Sequence, residues 1–405
     1  MELTNDISKK NYKAFLWHAA FLAIASAFMD VDTIIPSMLI NAGGTSVHVG
    51  ILTAILIGGT RLSQLFFAPF INSKPNKRGL LITGINLRVM ALIGVAAIFY
   101  FNEYFSGKVI IALVFLFMTS FSLGGAFATV SYTDILGKSI FDNVRKSFFS
   151  MRQIIASSGT LLSAWLAGYV LQHFDYPVNY FAVFSIASIV LLIASLGFWR
   201  VKEATVAIKS QANGFWKSIF QELKSNKRLT WYLLLTNTLG LNYAILPFIL
   251  LLGKSNAGMS NEFVGNLLLT KMAGLILAGI FIYFFSKKIK YDTILKISFG
   301  LGLIFPLIVW IFQDQLITYY IAFFLGGLYG SLYLVSSNGI LLEISNSTNR
   351  AIYAGISGAG NILPTLIPLL AGLIIAIAGF NAFFILVLTI TLSSVFFIYK
   401  LNCLK

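Results

Sequence analysis

Phe121-Ser122-Leu123-Gly124-Gly125-Ala126 lies inside a long apolar run, and half a chain later Phe324-Leu325-Gly326-Gly327-Leu328 lies inside another. Further pairs fall around these two marks in the same order. Asn143-Val144-Arg145 is answered by Asn349-Arg350, and Ala167-Gly168 by Ala371-Gly372. Upstream, Ile35-Pro36 then Val49-Gly50 are answered by Leu246-Pro247 then Val264-Gly265. No single match is specific, because small residues are frequent in apolar helices that pack closely. The shared order and near-constant offset indicate a chain built twice, head to tail.

Composition points the same way. Of 405 residues, 58% are apolar and 11% charged, and the mean hydropathy is +0.85. A soluble domain carries about 25% charged residues. The solvent of this chain is therefore mostly lipid, where a spanning segment must satisfy its own backbone hydrogen bonds. The apolar runs are long and continuous, which suits helices and not the short alternating segments of a barrel. The one cysteine, Cys403, allows no disulfide within the chain.

Twelve runs reach the ~20 residues that cross ~30 Å of hydrocarbon. They fall near 14–40, 47–71, 79–101, 108–134, 149–171, 178–200, 229–252, 262–285, 292–312, 316–341, 351–377 and 381–400. The first is too long for a signal-peptide core and is expected to stay. With the N-terminus inside, the outer loops hold only Lys108 and Lys254. Arg61, Arg88 and Lys271 fall within spans, and the rest of the 29 lysines and arginines fall on inner segments, Arg152 among them. That bias places both termini in the cytoplasm. The net charge of +15 then reads as a topology signal and an attraction to anionic lipid, not as a nucleic-acid site.

Three domains are expected: a six-helix bundle over 1–200, a linker over 201–228 and a second bundle over 229–405. In the linker Phe215, Trp216, Ile219, Phe220 and Leu223 recur at helical spacing among basic residues, which predicts an amphipathic helix on the inner membrane face.

Twelve spans, a six-plus-six parallel repeat, a basic central linker and a basic turn after the second span resemble the major facilitator superfamily over nearly the whole chain. The turn reads Ala68-Pro69-Phe70-Ile71-Asn72-Ser73-Lys74-Pro75-Asn76-Lys77-Arg78. The family pattern there ends in Asp-Arg-x-Gly-Arg-Arg and latches inner helix ends together. Here Asn72, Lys74, Lys77 and Arg78 take the latch positions, with Asn72 in place of the acid and Pro75 in place of the glycine. The second-half counterpart, Ser286-Lys287-Lys288-Ile289-Lys290, has drifted further. Proton-linked members often carry an Arg four residues before a Gly in the fourth span; here Ser120 precedes Gly124. The antiporter pattern Gly-Pro-x-x-Gly-Gly is missing from Ala156-Ser157-Ser158-Gly159-Thr160-Leu161-Leu162-Ser163. Both departures turn the reading away from a standard drug–proton antiporter.

Ionisable residues at membrane depth are costly, at least ~2.5 kcal/mol each, and should face protein or water. Five stand out: Asp30, Asp32, Arg61, Arg88 and Lys271. At ~1.5 Å per residue, Asp30, Arg88 and Lys271 lie about 13–16 Å deep. Ser26, Asp30, Thr33 and Ser37 form one helical stripe, and Asp32 sits about 200° away on a continuous helix. The resemblance implies a central cavity lined by spans 1, 4, 7 and 10, so Asp30 is the expected coupling group. Asp32 is expected to pair with Arg61 or Arg88. Lys271, with no deep acid in its own half, is expected either to meet an anionic substrate or to reach Asp30. Asp30, Asp32, Arg88 and Lys271 thus form the proposed coupling and substrate set. Ser26, Thr33, Arg61, Thr129, Asn242, Tyr329, Tyr333 and Asn361 are candidate cavity residues. Intramembrane hydroxyls often bond their own or a neighbouring helix, so each serine and threonine has that alternative.

Enzyme chemistry finds no foothold. His18, His48 and His173 are scattered, and no zinc-protease, Cys-x-x-Cys, serine-hydrolase or Walker pattern occurs. The expectation is a monomeric secondary transporter in the plasma membrane, as in a bacterial inner membrane. It would move a small organic solute, anionic or zwitterionic, by symport or antiport, with no cofactor, no metal and a proton gradient as energy source. An uncoupled facilitator, an amphiphile or lipid flippase, a drug efflux pump and a sensor that moves nothing remain as alternatives.

Overall fold

The structure is a computed structural model that describes residues 3–72, 74, 76–203, 222–256, 261–285, 289–345, 353, 356–358 and 360–402. The predicted amphipathic linker helix, Ser286-Lys287-Lys288, Asn349-Arg350 and Cys403 lie outside those residues, apart from the linker's ends. Among the described residues all regular structure is helical.

The first expected span is two helices, α1 (Asn5–Phe28) and α2 (Ile34–Asn41). Pro36 explains the break. It has no N–H to give, and its ring would strike the carbonyl of Asp32 in a continuous helix, so a first turn accommodates it best. The second span is α3 (Ser46–Thr53), a π-helical segment (Ala54–Gly59) and α4 (Thr60–Asn72). Then follow α5 (Arg78–Tyr100), α6 (Gly107–Ser139), α7 (Asp142–His173) and α8 (Val178–Trp199).

The second half repeats the device. α9 (Lys227–Leu239) passes through a 3-10 segment (Gly240–Ala244) into α10 (Leu246–Asn256), and Pro247 stands in the first turn of α10 as Pro36 does in α2. The repeated Ile-Pro and Leu-Pro pairs thus mark two broken helices. α11 (Asn261–Phe285), α12 (Tyr291–Ile311), α13 (Leu316–Ile344) and α14 (Leu363–Asn402) complete the chain. α14 holds the last span and most of the one before, because the chain turns at Gly379 with φ 77°, a conformation that suits glycine.

Nine helices among the described residues are long and apolar enough to cross a membrane. Large apolar side chains such as Met90, Leu116, Ile189 and Ile377 are exposed along them. In water such surfaces would drive association; in lipid they need no partner.

By compactness the chain divides into two units. One comprises Met1–Asp30, Asn41–Gly43 and Gly59–Gln211. In it α1 packs on α7 and α8, α5 on α6 and α8, and α4 on α6, around Phe15, Phe99, Tyr180, Phe184 and Phe198. The other comprises Val31–Ile40, Gly44–Gly58 and Ala212–Lys405. In it α3 and α9 pack on α14, α10 packs on α3, and α11 and α12 pack on α13, around Tyr232, Phe248, Tyr319 and Tyr329. Ser46 fastens α3 to α14 by donating its hydroxyl to the Gly372 carbonyl at 3.0 Å.

Candidate substrate and ion site

The unwound turn between α1 and α2 carries both acids. Asp30 and Asp32 are buried, and Thr33 is fully so. The Lys271 ammonium of α11 lies 2.6 Å from Asp32 Oδ2, and Lys271 is buried too. This corrects one expectation: Asp32 pairs with Lys271, and not with Arg61 or Arg88. The acid that meets the lysine of the second half comes from Val31–Ile40, in the first half of the sequence. The cause is the break. The 200° separation of Asp30 from Asp32 presumed a continuous helix, and residues 29–33 are not helical.

Arg88 lies on α5 with its guanidinium carbon 4.3 Å from the Phe121 ring centroid. It makes no ion pair among the described residues, and its Nε is buried without a hydrogen-bond partner. Arg61, second residue of α4, is half-buried and likewise outside the ion pairs. Arg152, which the charge count assigned to an inner loop, is in α7, with its guanidinium 5.6 Å from the Tyr132 centroid. Ser26 and Thr129 satisfy themselves locally: Ser26 donates to Ala23 O at 2.7 Å and Thr129 to Gly125 O at 2.8 Å.

Asn242, Tyr329 and Tyr333 do come together, at the break after α9. Ending α9 frees carbonyls that must find donors. Tyr329 gives its hydroxyl to Leu239 O at 2.5 Å, and Tyr333 to Thr236 O at 3.2 Å. The two phenol rings stack at 5.6 Å. Asn242 donates to Thr391 Oγ1 at 2.8 Å, while its own Oδ1 is buried without a partner. Asn361 Oδ1 is in the same condition, just before α14. A residue the sequence reading missed, Asn237, holds that junction: it donates to Gly360 O at 2.6 Å and accepts from Leu363 N at 2.8 Å.

The sequence matches no protein-family model and no curated protein. Solved structures match across their length. An auto-inhibited POT family peptide transporter superposes with a TM-score of 0.72 at 10% identity, covering 97% of this chain and 96% of that one. The nucleoside transporter NupG gives 0.69 at 12% identity, covering 97% and 98%. A D-xylose–proton symporter gives 0.68 at 12% identity, covering 96% of each chain. The chain has the major facilitator superfamily fold. With that fold the basic turn before α5 acquires a frame. Lys77 is buried and its ammonium lies 2.8 Å from Asp134 of α6, which also takes Lys138 at 2.5 Å. Glu203, just after α8, accepts the backbone N–H of Lys77 and of Arg78 at 2.8 and 3.0 Å. The Arg78 guanidinium donates to Val201 O at 3.1 Å. Lys74 is exposed and lies over the Phe70 ring, and Asn72 ends α4. Asp134 and Glu203 are thus the acids that contact this turn, and the turn's own sequence reveals neither.

Proposed function

We propose that this protein is a proton-coupled secondary transporter of a small organic solute that works by alternating access in the plasma membrane. The observation that carries the proposal is the buried Asp32–Lys271 pair, set where a broken helix meets α11. Discontinuous membrane helices are where transporters of this architecture place substrate and coupling ions. Separating a buried ion pair leaves two uncompensated charges, so it is costly while Asp32 is ionised. A proton on Asp32 removes one of those charges and eases α2 away from α11. Proton binding and helix movement are thereby linked, as a carrier that exchanges states must link them. Asp30, two residues away in the same unwound turn, is the second candidate for the proton. The fold is shared with the xylose–proton symporter, the nucleoside transporter and the peptide transporter, which supports carriage of a solute of that size class.

The test is solute uptake into proteoliposomes with and without an inward-acid pH gradient. Wild type should accumulate solute only with the gradient. Asp32→Asn should exchange solute at equilibrium but not respond to the gradient, and Asp30→Asn should show a lesser effect. If Asp32→Asn keeps the full gradient response, the pair is not the coupling group. Wild-type uptake indifferent to pH would make the protein a facilitator.

A further inference from the structure

We infer that Arg88 of α5 anchors the carboxylate of a small organic solute at the open edge of its guanidinium, with the Thr60 hydroxyl as a second donor. The residues involved all lie within the first compact unit. The inference deepens the transporter reading by naming a substrate class. Carriage of the solute rests on that reading. Binding of the solute does not, and is measured without transport.

The geometry starts from glycine. Gly84 of α5 and Gly124 of α6 let the two backbones approach closely. A Cβ on Gly124 would stand 2.7 Å from Gly84 O, 3.3 Å from Arg88 N and 3.0 Å from Arg88 Cγ. The Arg88 stem therefore lies across α6 where α6 has no side chain. Its guanidinium carbon comes to 4.3 Å from the Phe121 ring centroid. Its Cδ and Nε border the place that a Cβ on Gly125 would take, both at 3.9 Å. Thr60 Oγ1, at the start of α4, borders the same place at 3.8 Å and is held there by Ser122 Oγ at 3.0 Å. Three helices thus set a cation, an aromatic ring and a hydroxyl around one gap beside the glycine pair.

The guanidinium is held in place but not satisfied. It makes no ion pair among the described residues, and its Nε is enclosed without an acceptor. The residue as a whole is only half-buried, so the outer edge of the fork is open. Asp30, buried in the same unit, has an interaction of its own, and it is not with Arg88. The second half supplies the contrast. There Gly327 of the repeated Leu-Gly-Gly lies against the Lys271 carbonyl, and the Lys271 ammonium has Asp32 at 2.6 Å. Each glycine pair therefore adjoins a residue with a deep positive charge, and only the second-half charge meets an acid among the described residues. Stacking on Phe121 fixes the plane of the Arg88 guanidinium and turns its N–H edge outward. A carboxylate matches that edge, two oxygens to two N–H groups. One fork and one hydroxyl fit one carboxylate group.

Full-length protein in phosphatidylcholine nanodiscs is titrated calorimetrically with succinate, L-lactate and benzoate at constant chloride, with D-xylose as a neutral comparator. At least one carboxylate should bind, and Arg88→Gln should weaken it about tenfold or more. Arg88→Lys keeps the charge, removes the fork and should also lose affinity. Gly125→Ala leaves the arginine in place and puts a methyl group into the gap at ordinary contact distances. It should melt as wild type does and still bind the carboxylate more weakly, which an arginine with a purely structural role would not produce. Lys108→Gln, exposed at the start of α6, should bind as wild type does. If Arg88→Gln fails to fold, Arg88→Lys and Gly125→Ala decide. Arginine-dependent binding without gradient-driven uptake would overturn the transporter reading and leave this site standing. Absence of binding by all three carboxylates, or binding indifferent to Arg88→Lys and Gly125→Ala, overturns the inference.

Discussion

The Lys271 ammonium rests 2.6 Å from Asp32 Oδ2, joining the broken first span to α11 with both side chains buried. Removing one partner from such a pair leaves a buried charge alone, a loss of about 3–5 kcal/mol. Asp32→Asn and Lys271→Ala should each lower the thermal midpoint strongly. Asp32→Asn with Lys271→Gln should be far milder than the sum, since neutral amides replace both charges. Thermal unfolding of the variants in detergent checks both expectations; additive effects of Asp32→Asn and Lys271→Gln would contradict the pairing.

The inner turn yields a second prediction. Glu203 accepts two N–H groups at the start of α5, where a carboxylate is also favoured by the helix dipole. Glu203→Ala should destabilise by about 0.5–2 kcal/mol, the range for a lost N-cap. Asp134→Asn strips the buried Lys77 of its counter-charge and should cost about 1.5–3 kcal/mol. Asp134→Ala combined with Lys77→Met should recover part of that loss, because nothing charged is then left buried.

The fold was legible because it is written in long-range patterns: apolar runs of spanning length, a basic bias by loop and an ordered repeat. Even the helix breaks were marked, by Pro36 and Pro247, although helical phase was counted straight through the first of them. The site was legible only in part. Depth arguments found Asp32, Arg88 and Lys271, but pairing them required helical phase, and phase is lost across residues 29–33. Arg152 was hidden because α7 begins ten residues before it, so a basic residue near a loop was counted with the loop. Asp134 and Glu203 carried no motif, since an acid that latches a turn can come from any helix end nearby.

Close helix approach separates two kinds of glycine. A Cβ on Gly327 would stand 2.1 Å from the Lys271 carbonyl oxygen, where α13 crosses α11. A Cβ on Gly300, within α12, would meet nothing within 4 Å. Gly327→Ala must therefore push the helices apart and should cost about 1–3 kcal/mol. Gly300→Ala should be neutral or stabilise by up to about 1 kcal/mol through helix propensity. Opposite signs in thermal unfolding are the expected outcome, and equal effects would show that α11 and α13 do not cross at Gly327.

Membrane orientation gives the last prediction. Lys9, Lys10 and Lys13 precede or open the first span, while Lys108 is one of two basic residues in loops assigned to the opposite face. Positive charge is retained on the cytoplasmic side during insertion, so Lys10 should be inside and Lys108 outside. Both side chains are exposed and accept substitution without burying or uncovering anything. In a Cys403→Ser background, an impermeant maleimide added to intact cells should label Lys108→Cys and spare Lys10→Cys. After permeabilisation both should react. Labelling of Lys10→Cys in intact cells would invert the chain in the membrane. It would also place the Lys77–Asp134–Glu203 latch on the outer face.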